Sequence, residues 1–501
     1  MSTTIRKFAG QTAIYGISTI ISRLLNFILT PIYVRLYDVK VYGIFTYMYS
    51  WASMLNAILA FGMETTFFRY LNKHPENQDK VYNNTFMSIV GICGVFLAFT
   101  LFFVDDISAW LQGDEVYNPD YASYVKYFMV ILVVDALSVI PFAKVRADGR
   151  PMRYGIIKFI NILTFICFNF FFIFAIPLII KNGGWGASFL AEWYRPQWVG
   201  YVFISNLIAS ILSLILLLPE LLQLRLKFDL AMIKNMLVYS LPVLIANISF
   251  IINENLDKIF LGKLLPEDIS QQEVGIYGAC AKVAIFLSIF VQAFRLGAEP
   301  FFFSHAKNKN SGQTYARIMT YFVIAVSLIF VALTANIEIL KYFIRGKDAV
   351  QQALYWSGLK VVPVLLFGYV SLGIYMNLSI WYKLSDQTRF GLYISGIGAV
   401  LTIVLNLIFI PKYSYMASAW ISLTAYASMM GLSYWMGQKN YPIPYNLKKN
   451  LSYLLASVGL VFLSFVVFDR NLIIGNLLLI LFALATFYIE RKELKSIFKI
   501  S

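Results

Sequence analysis

The chain has 501 residues, of which 59% are hydrophobic and 13% charged, and its mean hydropathy is +0.69. Soluble domains carry about 25% charged residues, and a single polar-coated core cannot absorb this much apolar surface. A soluble enzyme, a secreted disulfide scaffold and a nucleic-acid binder are therefore excluded. The net charge of +15 comes from 41 Lys and Arg against 26 Asp and Glu, an excess that fixes topology when it sits in the loops of a membrane protein.

The apolar residues recur as runs of about 20, the length that spans a bilayer. The pattern predicts an all-α polytopic membrane protein with about 14 transmembrane helices, over 10–34, 43–63, 85–104, 123–143, 155–178, 199–219, 236–256, 275–298, 315–336, 360–382, 390–410, 413–435, 450–468 and 471–489. Arg6 and Lys7 precede the first run, which is long and lacks a small-residue cleavage site, so it is expected to stay as a membrane helix. Asp105, Asp106, Asp114, Glu115 and Asp120 populate a base-free connection suited to translocation. Pro411 to Ser414 is a very tight turn between spans eleven and twelve, and Asp469-Arg470 barely separates the last two spans. Lys and Arg in loops on the N-terminal face outnumber those on the other face by about two to one, which places both termini in the cytoplasm. The connections are short and leave no room for a soluble catalytic domain.

The sequence repeats itself. Gly62-Met63-Glu64 ahead of Phe67-Phe68 matches Gly297-Ala298-Glu299 ahead of Phe302-Phe303. Tyr42-Gly43-Ile44-Phe45 matches Val274-Gly275-Ile276-Tyr277, Arg153-Tyr154-Gly155 matches Arg389-Phe390-Gly391, and Asn169 matches Asn406. The offset stays near about 235 residues throughout. An even-numbered unit returns to the same side, so two six-helix lobes related by a pseudo-two-fold along the membrane normal are expected. The expected divisions are an N-lobe over 1–219, a cytoplasmic link over 220–235, a C-lobe over 236–435, and two additional spans with a cytoplasmic tail over 436–501. Paired lobes of this kind suit alternating access around a central cavity.

Ionisable groups inside spans are costly and line cavities or find partners. Arg23 lies near the middle of span one among Ile20, Leu24 and Ile28. It either faces a hydrated cavity, where its fork of donors would bind a phosphate, or pairs internally, with Asp135 as a partner. Arg295 and Lys282 share span eight; each either lines the cavity or snorkels to the interface. Lys158 reads as an interfacial anchor at a span end. Asn253, Glu254, Asn255, Asp257 and Lys258 crowd the outer end of span seven, where Glu254 and Lys258 have the spacing of a local ion pair. Asp135, Glu254 and Asp257 are the alternative candidates for a proton- or cation-responsive site. Glu64 and Glu299 hold equivalent places in the two repeats and either close an inner gate with Arg69 or Arg295 or stabilise helix ends. Cys93, Cys167 and Cys280 lie in apolar runs, and His74 and His305 have no Cys or His neighbours, so neither a disulfide nor a metal site is expected.

Ile21-Ser22-Arg23-Leu24-Leu25, Gly62-Met63-Glu64 through Arg69, Asp257-Lys258-Ile259-Phe260-Leu261-Gly262 before Val274-Gly275, and Gln292-Ala293-Phe294-Arg295 before Glu299-Pro300-Phe301-Phe302 resemble the polysaccharide-exporter branch of the multidrug/oligosaccharidyl-lipid/polysaccharide (MOP) exporter superfamily. The segment Pro266 to Gln272 reads as a longer outer loop than that branch usually has. The resemblance implies a V-shaped two-lobe bundle with a cationic cavity. It also implies a flippase, not an enzyme, for undecaprenyl-pyrophosphate-linked oligosaccharides of the O-antigen, lipopolysaccharide or capsule type in the bacterial inner membrane. The expected partners are the lipid-linked oligosaccharide, membrane lipids, and a polysaccharide polymerase with other assembly proteins. No cofactor is expected, and coupling to an H+ or Na+ gradient is the companion expectation. The rivals are a cation-coupled multidrug or peptidoglycan-lipid-precursor exporter, a membrane glycosyltransferase or polymerase, and a non-transporting assembly scaffold.

Overall fold

The computed structural model describes residues 27–113, 118–184, 186–225, 228–305, 310–385 and 387–498. Among them there is no strand, and 11 helices are long and apolar enough to cross a membrane. One of these, the 52-residue Arg389–Asn440, breaks at Ser414, where φ is 49° and ψ −141°. The tight turn read between spans eleven and twelve is therefore present. Gly200–Leu216 is a shorter apolar helix of 17 residues at span six. The first predicted span lies mostly outside the described residues.

The chain divides into two compact units, one ending at Gly275 and the other beginning at Ile276. The sequence reading placed a lobe link earlier, at 220–235. In the first unit the main helices are α1 (Thr30–Leu36), α2 (Val39–Ala60), α3 (Met63–Lys73), α4 (Gln78–Phe102), α5 (Val104–Gln112), α6 (Asp120–Ala147), α7 (Pro151–Phe170), α8 (Gly200–Leu216) and α9 (Leu230–Leu264). The long helix α10 (Glu267–His305) starts in this unit. Helix α6 is the central post: it packs against α2, α4 and α8, and α8 packs in turn on α7. Its apolar side chains, such as Ile131, Leu132 and Ile140, are buried, as expected of a helix that other helices surround. Helix α7 continues through a π-helical turn at Phe171–Ala175 into Ile176–Lys181.

Helix α9 starts on a proper cap. The Asp229 carboxylate accepts the Met232 amide at 2.9 Å and the Lys80 ammonium at 2.6 Å. The lysine and that amide hold its pKa below the ordinary carboxylate value. The expected outer loop at Pro266–Gln272 is instead helical. Leu265 is extended, Pro266 offers its carbonyl to the Ile269 and Ser270 amides, and Glu267 and Asp268 occupy the first turn of α10. Proline just ahead of a helix and acids in its first turn favour initiation, so the added residues lengthen the helix. The acidic connection after span three is likewise partly helical, with Asp105 and Asp106 in the first turn of α5.

The repeat-related glycines Gly43 and Gly275 touch. A methyl group on Gly43 would lie 1.8 Å from the Gln271 carbonyl oxygen, and one on Gly275 would lie 2.2 Å from the Val39 carbonyl oxygen and 3.1 Å from the Gly43 nitrogen. The obstructing atoms are backbone, so they cannot swing aside. Where span two continues into α3, Phe61 and Gly62 both take left-handed φ values, 47° and 66°. That break separates the apolar α2 from the polar α3.

The second unit holds the rest of α10, then α11 (Ser311–Ala335), α12 (Val362–Leu378), α13 (Arg389–Asn440), α14 (Leu447–Phe462) and α15 (Leu472–Phe498). Helices α12 and α13 form its most extensive packing. Trp381, fully buried, seats its indole against Gly437 and reaches Ser433 at 3.4 Å. The two additional helices dock on α11. Asn336 and Asn476 exchange amide hydrogen bonds at 3.1 Å, and buried Glu490 accepts Lys449 at 2.7 Å and Tyr453 at 2.8 Å. Asp469 and Arg470 both have positive φ, which makes the short turn read between the last two spans. The sequence-matched asparagines share a habit that Asn84, Asn336 and Asn476 also show. Asn169 and Asn406 are each buried, and each donates its amide to the carbonyl four residues earlier.

Alanine at Gly43 or Gly275 should destabilise the purified protein by about 1–3 kcal/mol, the usual penalty of overpacking. A lowered melting temperature in detergent checks this, whereas alanine at Gly91, which has open space beside it, should leave the temperature unchanged.

Candidate functional site

Two groups of charged side chains stand out, one in each unit. In the first unit, Asp135 of α6 lies within hydrogen-bonding reach of Ser210 on α8 and Asn56 on α2, and it faces Lys158 of α7. Lys158 sits 4.2 Å above the Phe142 ring and also faces Glu64 and Arg146. Lys158 is half-buried, in the electrostatic field of Asp135 and Glu64. Glu64 is ion-paired with Arg146, whose guanidinium lies against Phe68 and Tyr154. The partners expected for Glu64 were Arg69 or Arg295, but Arg69 rests 4.0 Å over the Tyr239 ring.

The network continues along the same helix ends. Lys144 meets Asp148 at 2.9 Å, Arg150 meets Asp148 at 2.6 Å, and Arg150 and Arg153 clasp fully buried Glu220 at 3.0 and 2.8 Å. Tyr82 donates to the Glu220 carbonyl at 2.9 Å. Cations and carboxylates alternate here and neutralise one another. Such a ladder ties α3, α6, α7 and the end of α8 together and offers little to an anion.

On α9, Lys258 makes its ion pair with buried Asp257 at 2.9 Å and reaches the main-chain carbonyl of Glu254 at 2.9 Å. The Glu254 side chain is exposed. The four-residue spacing therefore supports a contact to backbone, while the adjacent acid takes the charge. Asn255 reaches Ser53 of α2 at 3.3 Å.

In the second unit, Arg295 of α10 lines a cavity of about 20 Å³ together with Asn377, Ser379 and Lys383 at the end of α12 and the turn after it; Phe294 and Met376 are among the apolar walls. The described lining residues include no carboxylate, and among the described residues Arg295 has no ion pair. Lys282 lies thirteen residues before Arg295, about 20 Å along the helix, and is half-buried. One small ligand cannot touch both. Arg23 lies outside the described residues, and so does the side chain of Glu299 on α10. Lys383 and Asn377 were not singled out from sequence: the lysine reads as one more basic span end, and a single asparagine in an apolar run carries no pattern. The span-eight to span-ten contact that joins them to Arg295 is long-range and leaves no local signal. Among the described residues no group of His, Cys, Asp and Glu is arranged to hold a metal ion.

Comparison with known proteins gives the family. The profile described as "Polysaccharide biosynthesis protein" matches residues 8–298, more than half of the chain, and the MatE profile matches 242–408. A curated relative, "Lsg locus putative protein 1" of Haemophilus influenzae, is 23% identical over 312 residues, which is 60% of this chain and 68% of that protein. The fold is similar to that of the lipid II flippase MurJ in an inward-closed conformation, with a TM-score of 0.71 and 14% identity over 96% of this chain and all of the other. It is also similar to an inward-facing multidrug resistance MATE family transporter, with a TM-score of 0.61 and 12% identity over 87% and 95% of the two chains. A third similar structure is a MOP superfamily transporter from Pyrococcus furiosus described as having a binding pocket of reversed polarity, with a TM-score of 0.58 and 11% identity over 92% and 99%.

Reversing either charge of the Glu64–Arg146 pair, by Glu64→Arg or Arg146→Glu, should lower the melting temperature of the purified protein. The double reversal should recover most of the loss. Equal losses that simply add would show that the two residues act independently.

Proposed function

We infer, from a chain that belongs to the polysaccharide biosynthesis protein family within the MOP exporter superfamily, that this multi-pass membrane protein is a flippase. Its cargo is a lipid-linked oligosaccharide with an anionic diphosphate head, and its setting is the bacterial inner membrane, with both termini in the cytoplasm. The observation that carries the choice of cargo is the Arg295 cavity, whose described lining residues include two cationic side chains and no carboxylate. A guanidinium exposed to a cavity within hydrocarbon favours an anionic headgroup and repels a cationic one.

The prenyl tail stays in lipid while the diphosphate and sugars cross by alternating access, and no bond is made or broken. Arg23 and Arg295 are the main anion contacts, and Lys282 acts at a different depth on α10. Asp135, faced by Lys158, is the candidate for coupling to an H+ or Na+ gradient. Asp257 already holds Lys258, and Glu254 is exposed, so both serve this role less well. Glu64 with Arg146, and Glu299 in the equivalent place, would guard the cytoplasmic side. A polysaccharide polymerase and other assembly proteins are the neighbours that would consume the flipped unit in O-antigen or capsule-type synthesis. A second reading, a cation-coupled drug exporter, draws on the MatE match over 242–408; the two cations and no acid among the cavity's described lining residues tell against it.

A strain lacking its own exporter should recover surface glycan when it expresses this protein. With Arg295→Ala it should accumulate lipid-linked units on the cytoplasmic leaflet, while Arg295→Lys retains part of the function. Full glycan export by Arg295→Ala, or drug resistance without glycan export, would overturn the reading.

A further inference from the structure

A second cavity lies within the first unit, on the face expected to be cytoplasmic. It holds about 480 Å³ and is lined by the turn Pro75–Asn77, the first residues of α4, and Arg225 and Phe228 of the segment that follows α8. Two asparagines of α4 seat that segment: the Arg225 amide donates to Asn83 Oδ1 at 2.9 Å, and the Asp229 amide donates to Asn84 Oδ1 at 2.8 Å. Asn83 lines the cavity and keeps only 3% of its surface exposed. Its Nδ2 has no hydrogen-bond partner among the described residues, so a buried donor opens onto the space. The start of α4 adds further donors. Its N-cap residue, Asn77, makes no side-chain capping bond, which leaves first-turn amides open to an outside acceptor. Charge of both signs surrounds these donors. Lys80 is taken by Asp229 at 2.6 Å, while the exposed Arg225 guanidinium has no ion pair among the described residues. Asp79 likewise has none, and Glu76 has His74 at 3.7 Å and the Asn77 amide at 3.3 Å beside it.

Depth names the setting. The apolar run of α4 starts near Thr85, so at 1.5 Å per residue the α4 residues that line the cavity stand about 3–10 Å outside the hydrocarbon. The headgroup layer occupies about 5–8 Å on each side of that core. Leu222, Phe228 and Leu230, on the segment beside the cavity, are 75%, 63% and 78% exposed, as apolar side chains are where a segment lies in the membrane interface. We propose that this cavity seats the headgroup of a zwitterionic aminophospholipid of the phosphatidylethanolamine type. Its phosphate meets Arg225, the Asn83 amide and the first amides of α4, and its ammonium meets the carboxylates of Glu76 and Asp79. The mixed rim selects this class. A purely anionic head leaves those carboxylates facing like charge. A quaternary ammonium has no N–H to give them and favours an aromatic cage, of which Phe228 is a single ring. A primary ammonium offers three donors. The volume falls within the range of small-molecule pockets, about 300–1,000 Å³, so the head enters whole while the acyl chains leave past Phe228 and Leu230. The site requires a chain embedded in a membrane and does not rest on the flippase reading.

The test uses the full-length protein in detergent, titrated in turn with phosphatidylethanolamine, phosphatidylglycerol and phosphatidylcholine of identical acyl chains, with bound lipid counted by native mass spectrometry. The ethanolamine lipid should bind at least fivefold more tightly than either of the others. Arg225→Gln removes the phosphate contact and should weaken it at least fivefold. The double change Glu76→Gln with Asp79→Asn removes the ammonium contacts. It should weaken the ethanolamine lipid by a similar factor and strengthen phosphatidylglycerol, so that the order of the two lipids reverses. All three side chains are exposed, and a wild-type elution profile verifies the fold of each variant; if the double variant fails that check, Arg225→Gln and Asp79→Asn alone carry the test. Equal binding of the three lipids by the wild-type protein, or a preference for phosphatidylglycerol, overturns the site. So does a preference for the ethanolamine lipid that neither the arginine nor the acid variant alters.

Discussion

A charge taken into hydrocarbon must be paired, solvated or used, and this protein does so in more than one way. In the first unit several cations near the helix ends have a carboxylate beside them: Arg146 has Glu64, Arg150 and Arg153 share Glu220, and Lys144 has Asp148. Even Lys158 and Asp135 face one another across neighbouring helices. In the second unit Arg295 and Lys383 share a cavity whose described lining residues include no acid. The first arrangement ties helices together, and the second places the Arg295 guanidinium at a cavity.

The helix inventory was legible in sequence because twenty-residue apolar runs are a strong signal, and so were the turns at Ser414 and at Asp469-Arg470, where polar residues interrupt those runs. The outer end of span seven was misread because polarity alone suggested a loop. Pro266 followed by Glu267 and Asp268 is equally the opening of a helix, and the buried Ser270 and Gln271 show that polar residues there pack rather than project. For Lys158, snorkelling and inward pairing give the same residue type at the same span depth, so sequence does not separate them. The partner of Glu64 could not be read at all, since Arg146 lies 82 residues away and only tertiary packing brings them together. Asn377 was invisible for the same reason.

The internal repeat has physical content beyond homology of pattern. Gly43 and Gly275, matched in sequence, meet in space with backbone against backbone. Asn169 and Asn406, also matched, each fold their amide back onto their own helix. The two copies have nonetheless diverged in charge. Arg153 is bound to buried Glu220, whereas Arg389 lies over the ring of Phe390 at 5.6 Å.

The central claim is that a negatively charged lipid head is carried across the membrane. Reconstitution into sealed liposomes with a labelled prenyl-diphosphate oligosaccharide measures this directly, through the rate at which the glycan becomes accessible to an external lectin. The account predicts protein-dependent translocation of the diphosphate lipid, slowed at least tenfold by Arg295→Ala, and no comparable movement of an uncharged prenyl glycoside. Equal translocation of charged and uncharged lipids, or none of either by well-folded protein, would contradict it.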